Sequence, residues 1–244
     1  MEENTNLNGQ VNGNLNLPAS KLPTVSEPKD FRSSLHWRVF RILSEFIDGW
    51  QFLADFKKTI TFFGSARFQP GEHWYEEARK LAKLLAQEGI GIVTGGGPGI
   101  MQAGNQGADE GGSASIGLNI QLPMEQRINP YVKEGIGFHY FFVRKVMLSY
   151  AARAYVFFPG GFGTLDECFE ILTLIQTKKI SDKIPVVLVG KEFWAPIHNW
   201  ITEQMLGKLK TVDEGDLKLY TLVDSAEEAF AVVRNAPARE DFFY

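Results

Sequence analysis

The stretch Ala154-Tyr155-Val156-Phe157-Phe158-Pro159-Gly160-Gly161-Phe162-Gly163-Thr164-Leu165-Asp166-Glu167 decides the fold. The apolar run from Ala154 to Phe158 reads as a buried strand, the glycines after Pro159 as a tight turn, and residues from Leu165 to Thr177 as an amphipathic helix. Strand, glycine turn and helix N-terminus together make an anion site. Glycines let backbone N–H groups approach a phosphate closely, and the helix end offers unpaired donors with a favourable dipole. Thr164 adds a hydroxyl, and Glu167 places a carboxylate one turn into the helix.

The same unit recurs on both sides. Strand-like segments are expected at Ile60–Phe63, Ile90–Val93, Ser115–Ile120, Ile136–Phe141, Pro185–Val189 and Leu222-Val223. Helices are expected over Glu72–Gln87, from Gly99, and over Phe142–Ala152, Phe193–Leu206 and Ala226–Val233. Alternating βα units with nearly continuous apolar strands predict an α/β fold: a Rossmann-like, doubly wound, mainly parallel sheet with helices on both faces and right-handed crossovers. Gly64, Gly95 to Gly97, Gly160, Gly161 and Gly190 each fall at a strand's carboxyl end, the edge where open α/β sheets bind ligands. The expected organisation is one such domain over 58–236 and an amphipathic helix over 35–57, with apolar residues at Val39, Leu43, Phe46, Ile47, Trp50, Leu53 and Phe56. Residues 1–34, rich in Asn, Pro, Ser and Gly, are expected to be a disordered tail, and 237–244 a short C-terminal one.

Composition narrows the function. With 44% hydrophobic and 22% charged residues the chain has an ordinary globular balance. A net charge of −4 argues against a nucleic-acid partner held by a broad basic face, and favours a small anionic ligand in a local pocket. No segment has the length of a membrane span, and the start lacks the pattern of a secretory signal, so a cytoplasmic location is expected. Cys168, the single cysteine, excludes a disulfide framework, and the scattered histidines His36, His73, His139 and His198 lack ligand spacing; no metal is expected.

The loop Gly95-Gly96-Gly97-Pro98-Gly99 is a second candidate phosphate or base cradle, with a plain strand-to-helix turn as its bland reading. Neither glycine loop satisfies the dinucleotide fingerprint, since Ile100 and Asp166 stand where its last glycine belongs, and a Walker lysine is missing. Glu167 has two readings. Thr164-Leu165-Asp166-Glu167 fits a capping box that satisfies helix donors, and it equally fits an acid facing the sugar beside a bound phosphate. Arg144 and Lys145 near a helix start gain nothing from the dipole; an anion or a catalytic carboxylate explains them better than a solvated face, and Arg144 can hold an oxyanion bidentately. Cys168 reads as a buried core residue rather than a nucleophile. Ser65, in Gly64-Ser65-Ala66-Arg67, and Asn119, ahead of Gln121-Leu122-Pro123-Met124-Glu125-Gln126, are polar candidates at strand ends.

With GGGPGIM at Gly95–Met101, the pair Arg144-Lys145 and PGGFGTLDE at Pro159–Glu167, in that order, the chain resembles the Lonely-guy (LOG) family of nucleoside 5′-monophosphate phosphoribohydrolases over roughly Thr59 to Val233. The resemblance implies a Rossmann-like homodimer or higher homo-oligomer. It implies hydrolysis of the N-glycosidic bond of a purine nucleoside 5′-monophosphate, cytokinin-type or AMP-like, to free base and ribose 5-phosphate, without a cofactor. The family's catalytic glutamate falls on Glu167 and its catalytic arginine on Arg144. Substrate and phosphate would be held by Gly160, Gly161, Gly163, Thr164, Gly96, Gly97, Gly99, Lys145, Ser65 and Asn119. Family members have often been labelled lysine decarboxylases; no pattern here points to a pyridoxal phosphate site. The long N-terminal extension and GSAR after the first strand depart from short plant members. The alternative from another class is a non-catalytic nucleotide or molybdenum-cofactor carrier on the same fold.

Overall fold

A computed structural model describes residues 34–121 and 128–237. The readings of 1–33 as a disordered tail, of 238–244 as a C-terminal one, and of Leu122 to Gln126 as a polar loop lie outside the described residues. The chain falls into two compact units, 1–40 and 41–244. In the first, the described residues open the helix α1 (Leu35–Ala54), and the N–H of Trp37 donates to Ser34 Oγ at 3.3 Å.

The second unit is built on a sheet of seven strands. In chain order its elements are β1 (Thr59–Phe63), α2 (His73–Gln87), β2 (Gly91–Thr94), α3 (Ile100–Gly111), β3 (Ser115–Ile120), β4 (Glu134–Phe138), α4 (Phe141–Tyr150), β5 (Tyr155–Phe157), α5 (Phe162–Gln176), β6 (Val186–Val189), α6 (Lys191–Trp200), β7 (Thr221–Val223) and α7 (Ala226–Val233). The strands lie in the order β4-β3-β2-β1-β5-β6-β7, and every pairing is parallel. The order therefore runs outward in both directions from β1 and β5, and the crevice between those two is the topological switch point.

Burial on both faces explains why the inner strands read as unbroken apolar runs. Every residue of β1, β2, β5 and β6 is buried, whereas the edge strand β4 is exposed at Glu134 and Gly135. Successive side chains of β1 point to opposite faces. Phe62 meets Phe158 in the core under α2, α3 and α7, with ring centroids 5.7 Å apart; Phe63 stacks on Phe157 at 4.7 Å in the core under α4 and α5. Within 41–244, α1 covers that second core, with Leu53 fully buried and Gly49 packed against Met147 and Phe138, while Leu43, Ile47 and Trp50 remain exposed.

Two elements differ from the sequence expectation. β4 leaves the sheet after Phe138 because the N–H groups of His139 and Tyr140 donate to Glu45 of α1, each at 3.1 Å, instead of extending the ladder. The helix expected to Leu206 is α6 continued by a wider π-helical stretch, Ile201–Leu209, a change of pitch too small for apolar periodicity to reveal.

Helices α2 and α3 approach closely because small residues face each other: a Cβ at Gly107 would collide with the Arg79 carbonyl and Ala82. Gly107→Val should therefore destabilise the protein by about 1–3 kcal/mol in urea unfolding; a change under about 0.5 kcal/mol, the range of neutral surface substitutions, would contradict this packing.

Candidate functional site

Three strand-end loops are tied together at the switch point. After β1, the Ser65 N–H donates to the Pro159 carbonyl at 3.0 Å, and the Ser65 carbonyl accepts from Ile100 N–H at 3.0 Å. The β1 loop is thus pinned between the two glycine loops. Glycine is needed at the crossings: Gly99, with φ of +69°, packs on Ser65 and Ala66, and a Cβ on Gly160 would strike the Thr164 side chain.

These loops enclose a cleft of about 630 Å³, within the size range of small-molecule sites. Ser65, Arg67, Gly95, Phe141, Arg144, Gly161, Phe162, Gly163, Thr164 and Glu167 line it. Helix α5 starts at Phe162 with Gly161 as its N-cap, no side chain caps its donors, and its first turn carries no acid. Its free N–H groups and dipole therefore point at the cleft. This start also removes the capping-box reading. Thr164 lies inside the first turn instead of at the N-cap, because glycines on either side of Phe162 let the helix begin earlier than its apolar pattern does.

Glu167 instead faces Arg144. The Oε1 to Nη2 distance is 3.7 Å, and the two side chains are only 13% and 12% exposed. Burial pushes the Glu167 carboxyl up to about 7, against the opposing pull of the Arg144 and Lys145 charges. Burial likewise lowers Arg144 from the usual arginine range, while Glu167 acts to raise it, and its Nε is buried without a partner among the described residues. The guanidinium carbon lies 5.3 Å from the centre of the Phe141 ring. A Cβ on Gly95 would stand 3.4 Å from Arg144 Nη1, so the second glycine loop closes the far side of the same group. The result is a carboxylate poised to exchange a proton near neutral pH, beside a cation and a helix N-terminus.

Among the other sequence-selected residues, Ser65, Gly161, Gly163 and Thr164 line the cleft, while Gly160 supports Thr164 from behind. Gly96, Gly97, Gly99 and Asn119 form the structure under the second loop rather than the cleft lining; Gly96, with φ of +71°, packs against the Asn119 amide. Lys145 lies outside the lining, its Nζ 2.8 Å from both Asp166 Oδ2 and Glu170 Oε2. Cys168 is buried in the core, its thiol pushed up to about 12 by desolvation.

Several residues escaped the sequence reading. Buried Asn105 accepts from Thr94 Oγ1 at 2.6 Å and from Asn129 Nδ2 at 3.0 Å, and donates to Ser115 Oγ at 3.0 Å. Asn129 Nδ2 also donates to the Gly97 carbonyl at 3.0 Å, and its N–H to the Gly96 carbonyl at 2.9 Å. This satisfied network holds the second glycine loop in place. The available signal was a lone asparagine on the apolar face of α3. Arg67 and Phe162, the latter 93% exposed, carried no signal beyond standing inside the quoted motifs, and Phe141 none beyond adjacency to a motif.

Comparison with known proteins points the same way. Residues 101–233 match a family model described as "Possible lysine decarboxylase". The chain is 30% identical over 192 residues to a cytokinin riboside 5′-monophosphate phosphoribohydrolase of Oryza sativa subsp. japonica, covering 76% of this chain and 71% of that protein. It is 27% identical to a pyrimidine/purine nucleotide 5′-monophosphate nucleosidase of Escherichia coli K12, matching 68% of this chain but 38% of that longer protein. Among solved structures, a molybdenum cofactor carrier protein from Chlamydomonas reinhardtii superposes with a TM-score of 0.54 at 25% identity, over 72% of this chain and 94% of its own.

The buried carboxyl has a consequence for stability. Its folded-state value, about 7, exceeds the ordinary 4.5, so the native protein holds a proton that the unfolded chain has lost between those values. Stability relative to Glu167→Gln should therefore fall as pH rises from about 4.5 to about 7 and stay low above. Urea unfolding of both proteins across that range checks this; a constant difference would contradict it.

Proposed function

We propose, for a chain that belongs to the Lonely-guy (LOG) family of phosphoribohydrolases, that this cleft hydrolyses the N-glycosidic bond of a purine nucleoside 5′-monophosphate. The products are free base and ribose 5-phosphate. The observation that carries this reading is Glu167, desolvated beside Arg144 at the mouth of an uncapped helix.

Breaking the bond between sugar and base develops positive charge on the ribose ring, and an adjacent carboxylate lowers that barrier. Glu167 has a second task. As a general base it orients the attacking water and takes its proton while the water oxygen bonds to the anomeric carbon; the bonding pair of the glycosidic bond leaves with the nucleobase, which takes a proton from solvent, and Glu167 returns its own proton to solvent. A carboxylate poised near 7 suits both steps, because an ordinary glutamate is too weak a base at neutral pH. Arg144 holds Glu167 in position and offers donors to the ribose hydroxyls. The 5′-phosphate lies against the free N–H groups from Gly161 to Thr164, where the helix dipole favours an anion.

The two hydrolase relatives differ in the base that their names specify and share the 5′-monophosphate, which supports a fixed phosphate subsite with a variable base end. The carrier alternative is favoured by the fold of the Chlamydomonas protein alone. A homodimer is part of the same proposal: a second copy would cover the exposed Leu43, Ile47 and Trp50 of α1.

Incubation with a panel of nucleoside monophosphates, read by chromatography, should give free base from AMP or isopentenyladenosine monophosphate, and Glu167→Ala should lower the rate by about 10²-fold or more. Full activity in that variant would overturn the assignment, and a nucleotide held but never cleaved by the wild type would favour the carrier. The wild-type kcat/KM should climb as pH rises through about 7, as Glu167 ionises, and then level off; a profile flat from pH 5 upward would contradict Glu167 as the base.

A further inference from the structure

Of the cations that line or adjoin the cleft among the described residues, one is uncommitted. Arg144 is buried against Glu167, and Lys145 is held by Asp166 and Glu170, joining α4 to α5. Arg67 differs from both. It lines the cleft from the loop after β1, is exposed, and forms no ion pair among the described residues.

Its backbone, by contrast, is fixed on both sides. The Arg67 N–H donates to Ser65 Oγ at 3.2 Å, and its carbonyl accepts from Gln69 Nε2 at 2.9 Å. Ser65 is itself pinned to Pro159 and Ile100, so the Cα from which the guanidinium extends is held against the loop that opens α5. The restrained backbone fixes the point from which an unpaired guanidinium reaches an anion, leaving only the side-chain torsions to be ordered on binding. The charge balance agrees: Arg67 and Arg144 outnumber Glu167 in the cleft lining, leaving it positive in a chain of net charge −4.

We propose that Arg67 is the residue that selects phosphorylated substrates. Its guanidinium takes two non-bridging oxygens of the 5′-phosphate as a bidentate pair, while the N–H groups at the start of α5 take the remaining oxygen. This assignment rests on the nucleotide reading of the cleft, and it moves the cation of the phosphate subsite from Lys145 to Arg67. Arg67 touches the phosphate and not the reacting atoms, so its loss acts on binding and spares the chemical step.

The test uses the full-length wild type, Arg67→Ala and Arg67→Lys, with AMP against adenosine as substrates and ribose 5-phosphate against ribose as calorimetric ligands. Arg67→Ala should raise KM for AMP about tenfold or more with kcat nearly unchanged, leave adenosine untouched, and weaken ribose 5-phosphate by the same factor. Arg67→Lys, which keeps the charge but not the fork, should recover part of the loss. Equal effects on phosphorylated and unphosphorylated ligands, or none on either, would overturn the proposal. The two readings fail separately. Cleavage of AMP with an unaltered AMP-to-adenosine ratio in Arg67→Ala would sink the role of Arg67 and leave hydrolysis standing. Arg67-dependent binding of ribose 5-phosphate by a protein that cleaves nothing would do the reverse.

Discussion

The site depends on one interaction: a glutamate and an arginine, Glu167 and Arg144, facing each other at 3.7 Å where solvent hardly reaches. Moving a carboxylate out of water costs more than Arg144 and, behind it, Lys145 return, and the difference appears as a carboxyl that ionises near 7. A closer, doubly hydrogen-bonded pair would hold the acid ionised and inert. A glutamate without the arginine would stay protonated to still higher pH. The intermediate separation keeps Glu167 available as a base.

Much of the fold serves to maintain that separation. Glu167 is carried by α5, which follows β5, and Arg144 by α4, which precedes it, so the pair spans one crossover. Lys145, bound by Asp166 and Glu170, fixes the two helices side by side. Glu45 of α1 accepts from the His139 and Tyr140 N–H groups just ahead of α4 and so sets where that helix begins. Below the opposite wall, Asn105 and Asn129 hold the second glycine loop, whose Gly95 leaves room for the Arg144 guanidinium. Strain on any of these supports moves a charge that has little water to screen it.

What the chain revealed before its structure was known follows from range. The βα alternation and the switch-point glycines were legible because local periodicity and short motifs carry them, whereas Arg144 and Glu167 were brought together only by the resemblance to the Lonely-guy family. The capping box looked valid since its spacing is correct; only the helix start at Phe162, two residues before Thr164, shows that it does not form. The Asn105 network was hidden, because a buried asparagine is recognisable only by partners that lie on β2, β3 and the segment before β4. Lys145 drew attention by adjacency to Arg144, yet adjacent residues on a helix point in different directions, and this one turns to carboxylates on α5. Arg67 was legible only as part of Gly64-Ser65-Ala66-Arg67: that it lines the cleft and forms no ion pair among the described residues is set by the fold, which no sequence displays.

Burial beside Arg144 brings Glu167 into the neutral range. Carbon-13 NMR of glutamate-labelled protein, with Glu167→Gln used to identify the resonance, measures this directly. A carboxyl titrating near 7 that disappears in the variant is the expected result; a midpoint in the ordinary glutamate range, about 4.3, would contradict it.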